Sequence, residues 1–172
     1  MVRTAVGVVA LGVWWPAAAS ACSCALPEPW FLGRVKHGEL VVLAEVAEQS
    51  GFVNAQLPTL MDLDVSEVLK GEEKRARLRV LGESGSDCRS HLARFKPGTR
   101  WVFVLTPLQQ EEEWVRSGAP YELVGCGGVW WARVEGANVR GLLTDRDLRT
   151  QKESQRPLAE IRRLAAERPP PR

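Results

Sequence analysis

Short runs of apolar residues, some of them alternating with polar ones, recur along most of the chain and predict β-strands. Residues 40–46 are a mainly apolar run of strand length, residues 101–105 are a continuous apolar run, and residues 61–69 alternate between apolar and polar side chains. A run without a polar face is typical of a strand buried on both sides, so we expect this of residues 101–105. Residues 129–143 predict a hairpin that turns near Gly136.

Breaks in this pattern predict the connections between the strands. Residues 48–59 contain Gly51 and Pro58 between two apolar segments, which predicts an exposed loop. The polar residues 109–113 are expected to lead into another loop. Residues 30–36 predict a short helical turn ahead of the first strand.

The C-terminal part of the chain changes to a helical pattern. Segment 151–168 has apolar residues at helical spacing, which predicts one amphipathic helix packed on or beside the sheet: Leu158, Ile161, Leu164 and Ala165. The proline-rich residues 169–172 are predicted to be a disordered tail. Several short strands with peripheral helices predict a mainly β fold, an OB-fold-like closed β-barrel, as one domain over residues 22–150.

The first 21 residues have the three parts of a secretory signal peptide. Arg3 supplies the positive charge, residues 5–15 are apolar, and small residues 19–21 precede the predicted cleavage site. A membrane-spanning helix needs about 20 apolar residues, so this run is too short to be one, and we expect no transmembrane segment. The protein is therefore predicted to be secreted, in a periplasmic or extracellular location.

Charged residues of both signs are mixed along the chain, and the formal net charge is +2. A nearly neutral chain of this kind does not favour binding to a polyanion, so we expect no nucleic-acid partner. A local basic stripe consists of Arg75, Arg77 and Arg79, which would share one face of a strand. We interpret this stripe as a solvated strand face, and an acidic-polysaccharide site is the alternative.

Four cysteines, Cys22, Cys24, Cys88 and Cys126, predict two disulfides in an exported protein. A bridge from Cys22 to Cys24 would close a loop around one residue and does not fit disulfide geometry. Two pairings then stay open, in which Cys22 and Cys24 bond to Cys88 and Cys126 in either order. Both tie the mature N-terminus to distant parts of the chain, which indicates that the N-terminus itself has a function.

Neither histidine lies in a recognisable catalytic or metal-binding motif. Cys88 and His91 lack the paired C-x-x-C arrangement of structural zinc sites. His37 and His91 stand in polar contexts, and no nucleophile motif such as G-x-S-x-G accompanies them. We therefore expect a protein that is not an enzyme and that holds no cofactor or metal of its own.

The cysteines and two further motifs resemble a known family. The sequence Cys22-Ser23-Cys24 opens the predicted mature chain, 68–71 reads Val-Leu-Lys-Gly, and 97–103 reads Pro-Gly-Thr-Arg-Trp-Val-Phe after Cys88. Together with Cys126 and six predicted strands, these features resemble the inhibitory domain of tissue inhibitors of metalloproteinases, in the netrin-like family with an OB-fold. The resemblance covers residues 22–134.

This resemblance implies a disulfide pairing and a mechanism. It implies bridges from Cys22 to Cys88 and from Cys24 to Cys126. It also implies that the amino nitrogen and carbonyl oxygen of Cys22 chelate the catalytic zinc of a target metalloprotease, while Ser23 enters the specificity pocket of that enzyme. Catalytic zinc keeps an open coordination position for water, which such a chelate can occupy.

A second hypothesis makes Cys22 and Cys24 purely structural, in a non-inhibitory adhesion or cell-envelope module. A cysteine that directly follows a signal peptide can also be lipidated, which would anchor the protein at Cys22 and acylate the amine that the chelate needs. Position 19 is Ala, where lipidation signals usually carry Leu, so we favour ordinary cleavage.

Overall fold

The computed structural model describes residues 30–53, 56–84, 88–109, 111–125 and 128–167. The strands within these ranges are β1 (Leu40–Val53), β2 (Leu57–Lys70), β3 (Arg77–Leu81), β4 (Arg100–Pro107), β5 (Tyr121–Glu122), β6 (Trp131–Glu135), β7 (Asn138–Gly141) and β8 (Ser154–Pro157). The helices are α1 (Phe31–His37), α2 (Glu111–Ser117), α3 (Asp145–Thr150) and α4 (Leu158–Ala166), with a 3₁₀ turn at Leu92–Arg94.

Five strands close into a β-barrel. β1, β2 and β3 are consecutive antiparallel neighbours, and β4 returns to pair antiparallel with β1, which is a Greek-key order. β5 then lies between β3 and β4, parallel to the first and antiparallel to the second. The predicted mainly β fold with a closed barrel is confirmed.

Residues 40–44 of β1 and 102–105 of β4 are buried on both faces. Val42 and Phe103 face the barrel interior, whereas Val41 and Val102 face a second core outside the barrel. The side chain of Val104 also lies in this outer core and is 1% exposed. The apolar run at 101–105 is continuous because both sides of the strand pack against other elements, as the sequence predicted.

The second core is covered by the first and last helices. Phe31 and Val35 of α1 pack with Leu158, Ile161 and Ala165 of α4, whose spacing puts all three on one helix face. Lys36 and Glu167 form an ion pair of 2.9 Å beside this contact. The two helices therefore cover the outer face of the barrel together.

Three further strands extend the sheet from β4 through β6 and β7 to β8. The β6–β7 hairpin turns at Gly136, whose φ of 62° suits a tight turn, as the sequence predicted. The sequence interpretation missed α3 and β8. α3 starts at a capping box in which Thr144 and Asp147 bond to each other's backbone, and the T-x-x-D spacing is a signal that could have revealed it.

The predicted loop at 48–59 is wrong. β1 continues to Val53 and β2 begins at Leu57, so this segment is a hairpin arm in which Phe52 pairs with Pro58. β4 pairs with β1 only up to Glu45. Beyond that residue, the two strands of the arm pair mainly with each other. An open strand edge tolerates the missing N–H of a proline, which is why Pro58 does not end the strand.

The prediction that the polar segment 109–113 leads into a loop is also wrong. Residues 111–117 form α2 instead. Residues 111, 112 and 113 are all glutamates, and carboxylates in the first helical turn interact favourably with the backbone N–H groups there. High polarity thus marks a helix N-terminus here rather than a loop.

Glu73 fastens the β2–β3 connection to β5. Its carboxylate accepts hydrogen bonds from the backbone N–H groups of Lys74 and Arg75, from the Arg75 guanidinium at 2.7 and 2.9 Å, and from the Tyr121 hydroxyl at 3.0 Å. The Glu73 side chain is only 5% exposed. The Arg75 hydrogen bond, above all other contributions, lowers the pKa of Glu73 to about 2.

We predict that Glu73→Gln destabilises the protein by about 2 kcal/mol at pH 7 and by less at pH 2.5. The folded pKa of about 2 lies below the ordinary glutamate value of about 4.3, so Glu73 stabilises the fold above that value. This contribution is lost as pH falls towards 2. Urea denaturation at the two pH values measures the difference. The exposed neighbour Glu72, changed to Gln, is the control, and an equal effect of Glu73→Gln at both pH values would contradict the prediction.

Candidate functional site

Most of the predicted site residues lie outside the described residues. This applies to Cys22, Ser23, Cys24 and Cys126, and also to the predicted signal peptide at 1–21 and the tail at 169–172. The zinc chelate, the lipid anchor and both disulfide pairings therefore stay predictions. Cys88 is the one predicted disulfide cysteine that the structure describes.

Cys88 lies at a short antiparallel contact that we call the cysteine corner, formed by residues 88–90 and 123–125. The Gly125 N–H donates to the Cys88 carbonyl at 2.8 Å, and the Ser90 N–H donates to the Leu123 carbonyl at 2.8 Å. Gly125 directly precedes Cys126 in the sequence. The structure thus places Cys88 beside the residue that precedes the next cysteine of the chain, 38 positions further on.

Gly125 allows the two segments to approach this closely. A Cβ atom on Gly125 would lie 2.3 Å from the carbonyl oxygen and 2.6 Å from the carbonyl carbon of Arg89. Both distances are far shorter than a nonbonded contact allows, and backbone atoms cannot move aside as a flexible side chain can. A glycine permits such a close approach, but its place beside a cysteine does not reveal from the sequence alone which segment it meets.

Arg89 ties the cysteine corner to the barrel and to α2. Its Nε donates to Glu122 of β5 at 2.7 Å, and its two terminal nitrogens donate to Glu113 of α2 at 3.0 and 2.8 Å. The Arg89 side chain is only 11% exposed. Burial lowers the pKa of Arg89, but the hydrogen bonds to Glu113 and Glu122 outweigh it and the net pKa is raised. The guanidinium is therefore a permanent ionic link at the corner.

The cysteine corner and the hairpin arm of β1 and β2 lie at the same end of the barrel. A chain of backbone hydrogen bonds joins them: the Gly82 N–H donates to Thr59 at 2.8 Å, and the Glu83 N–H donates to Ser90 at 3.0 Å. The arm carries Phe52, whose side chain is 55% exposed. The arm that carries Phe52 and the cysteine corner are thus connected by backbone hydrogen bonds.

The basic stripe predicted at Arg75, Arg77 and Arg79 is neutralised by carboxylates. Arg79 donates to both oxygens of Asp62 at 2.7 and 2.9 Å, and these hydrogen bonds are the largest cause of the lowered pKa of Asp62. Arg75 pairs with Glu73 at 2.7 Å, and Arg77 lies 3.4 to 3.8 Å from three carboxylates. The geometry gives no support to the polysaccharide hypothesis at this stripe.

Both histidines lie on the surface. His37 is exposed at the end of α1, and His91 is 57% exposed with its Nδ1 atom 2.9 Å from Glu83. Across the described ranges, no three His, Cys, Asp or Glu side chains converge to form a metal site. None of the helices in the same ranges is long and apolar enough to span a bilayer.

Comparison with known proteins assigns no family to the chain. No protein-family model matches it, and a search of curated proteins finds no match.

We predict that Arg89→Ala lowers the free energy of unfolding by about 2 to 3 kcal/mol, because two partly buried carboxylates lose their cation. Arg116→Ala is the matched control, since Arg116 is 80% exposed and lies 3.9 Å from the same Glu113. An exposed pair of this kind contributes less than about 1 kcal/mol. Urea denaturation measures both variants, and equal small effects would show that Arg89 does not hold the corner.

Proposed function

We propose that this protein is an exported netrin-like binding module that inhibits a zinc metalloprotease through its disulfide-fixed N-terminus. The observation that carries the proposal is the hydrogen bond between Gly125 and Cys88, directly beside Cys126 in the chain. The Greek-key order of the five-stranded barrel supports the OB-fold-like part of the proposal, because the OB-fold is a barrel of this type.

The spacing of a Cys-x-Cys sequence fits two neighbouring partners. In an extended chain, the Cα atoms of residues 22 and 24 are about 6.6 Å apart, and adjacent strands run about 4.8 Å apart. Disulfides need Cα atoms about 4.4 to 6.8 Å apart. Cys88, whose carbonyl bonds to Gly125, and Cys126, which follows Gly125 in the sequence, would therefore take one bridge each. In the proposed pairing, Cys22 bonds to Cys88 and Cys24 bonds to Cys126.

The two bridges would give the N-terminus the rigidity that inhibition needs. A loose terminus loses much conformational freedom on binding, whereas a terminus fixed beforehand avoids that cost. The α-amino group has an ordinary pKa of about 7.7 to 8.0, so a useful fraction is neutral near pH 7 and can bind zinc. The amine and carbonyl oxygen of Cys22 would then displace the zinc-bound water of the target, and Ser23 would fill its specificity pocket.

The hairpin arm offers a second contact at the same end of the barrel. Its exposed Phe52 could pack on an apolar part of the protease surface while the N-terminus occupies the active site. Aromatic residues are enriched among those that dominate binding energy. The proposed inhibitory surface therefore consists of residues 22–24, the cysteine corner that anchors them, and Phe52.

Inhibition constants against a panel of zinc metalloproteases test the proposal. We expect the mature protein to inhibit at least one member of the panel. A variant with one alanine added before Cys22 keeps the cysteines but moves the amine, and we expect it to inhibit at least about 100-fold more weakly. The same alanine added after Arg172 is the matched control and should change nothing.

Other outcomes separate the remaining hypotheses. Phe52→Ala should weaken inhibition about 10-fold while leaving the chelate intact. A mature protein that inhibits no protease, or an alanine-extended variant that inhibits as well as the parent, would contradict the proposal. A lipidated or acylated Cys22 would instead favour a cell-envelope or adhesion module with structural cysteines.

A further inference from the structure

A cavity of about 240 Å³ opens between α1 and the end of β4, away from the residues of the proposed inhibitory surface. We call it the Arg34 pocket. Its walls come from α1 and the link to β1, from the last residues of β4, and from the residue before β6: Arg34, His37, Gly38, Glu39, Val104, Leu105, Thr106, Pro107 and Trp130.

Arg34 lies over the indole ring of Trp130. Its guanidinium carbon is 4.0 Å from the ring centroid, and its Nε atom is buried with no hydrogen-bond partner. Among the residues that the structure describes, no carboxylate pairs with Arg34, whereas Arg89 has two. Burial lowers the pKa of Arg34, but an arginine side chain stays protonated in proteins. Within the described ranges, the pocket thus contains a partly desolvated cation that no carboxylate pairs with directly.

Trp130 contributes a second unpartnered donor to the same wall. Its indole Nε1 atom is buried and makes no hydrogen bond within the described part of the chain. Buried polar groups are nearly always hydrogen-bonded, and each exception calls for a physical reason. Two donors that lack a partner within the described residues, on side chains that stack on each other beside one cavity, indicate a site for an acceptor that this part of the chain does not supply.

We propose that the Arg34 pocket binds the carboxylate of a small ligand with an apolar body. A planar guanidinium presents a fork of donors that matches a carboxylate, and its stacking on Trp130 holds that fork in place. Pro107 and the half-buried ring of Trp130 supply apolar surface for the rest of the ligand. Glu39 in the wall disfavours a second negative charge, so the ligand is a monoanion.

This carboxylate has two chemical sources: a free small acid, or the C-terminal residue of a peptide. The cavity is smaller than the roughly 300 to 1,000 Å³ of common ligand sites, which limits the occupant to a few carbon atoms or one apolar side chain. Hexanoate is the probe for the free acid, and N-acetyl-leucine is the probe for a peptide terminus. Hexanamide, which has no charge, is the matched control ligand.

Two-dimensional NMR of the ¹⁵N-labelled, oxidised protein gives a readout specific to the site. Trp130→Phe identifies the indole N–H signal of Trp130 among the five tryptophans that follow the predicted signal peptide. We expect hexanoate, N-acetyl-leucine or both to shift that signal, with a Kd of about 1 mM, as suits ligands of this size. Hexanamide should bind at least 10-fold more weakly, and the probe that shifts the signal identifies the source.

Variants at Arg34 complete the test. Arg34→Gln should weaken binding at least 10-fold, and Arg116→Gln, at a well-exposed arginine outside the pocket, should leave it unchanged. If Arg34→Gln does not fold, Arg34→Lys is the second variant. It keeps the positive charge but lacks the paired N–H donors of a guanidinium, so it should still weaken binding several-fold. The proposal is overturned if neither carboxylate shifts the Trp130 signal, if hexanamide binds equally well, or if the folded Arg34 variants bind like the parent.

Discussion

The barrel closes through β5, a strand of only two residues, and this short closure constrains the rest of the structure. Tyr121 and Glu122 pair with β3 on one side and with β4 on the other. Because β5 has so few backbone pairs, its position also depends on side-chain contacts. The Tyr121 hydroxyl donates to Glu73 at 3.0 Å, and Glu122 accepts from Arg89 at 2.7 Å. The loops on either side of β3 are thereby both anchored to the closing strand.

The same anchoring couples the fold to the proposed function. Arg89 follows Cys88 directly, so the side chain that fixes β5 also fixes the backbone of the cysteine corner. Beyond β5 the chain reaches Gly125 and then the position of Cys126, and the Gly125 N–H bonds to Cys88 at 2.8 Å. A barrel closed in this way provides a rigid platform on which two bridges could hold a Cys-x-Cys terminus, which is the preorganisation that a chelating inhibitor requires.

The sequence correctly predicted elements that a run of apolar residues or a turn glycine specifies locally. The continuous run at 101–105 is buried on both faces, and Gly136 turns the β6–β7 hairpin. Local signals failed where pairing decides the outcome: Pro58 is typical of a loop, but a free strand edge accepts it. The hydrogen bonds of Arg89 with Glu113 and Glu122, and the approach of Gly125 to Cys88, join distant parts of the chain and could not be predicted from one sequence.

Peptide mapping of the oxidised, secreted protein by mass spectrometry tests the role of the cysteine corner most directly. We expect a mature chain that begins at Cys22 with an unmodified amine, one bridge from Cys22 to Cys88, and one from Cys24 to Cys126. That result would join the Cys-x-Cys terminus to both segments of the corner. A bridge between Cys88 and Cys126, free thiols, or an acylated Cys22 would contradict the proposed chelating terminus.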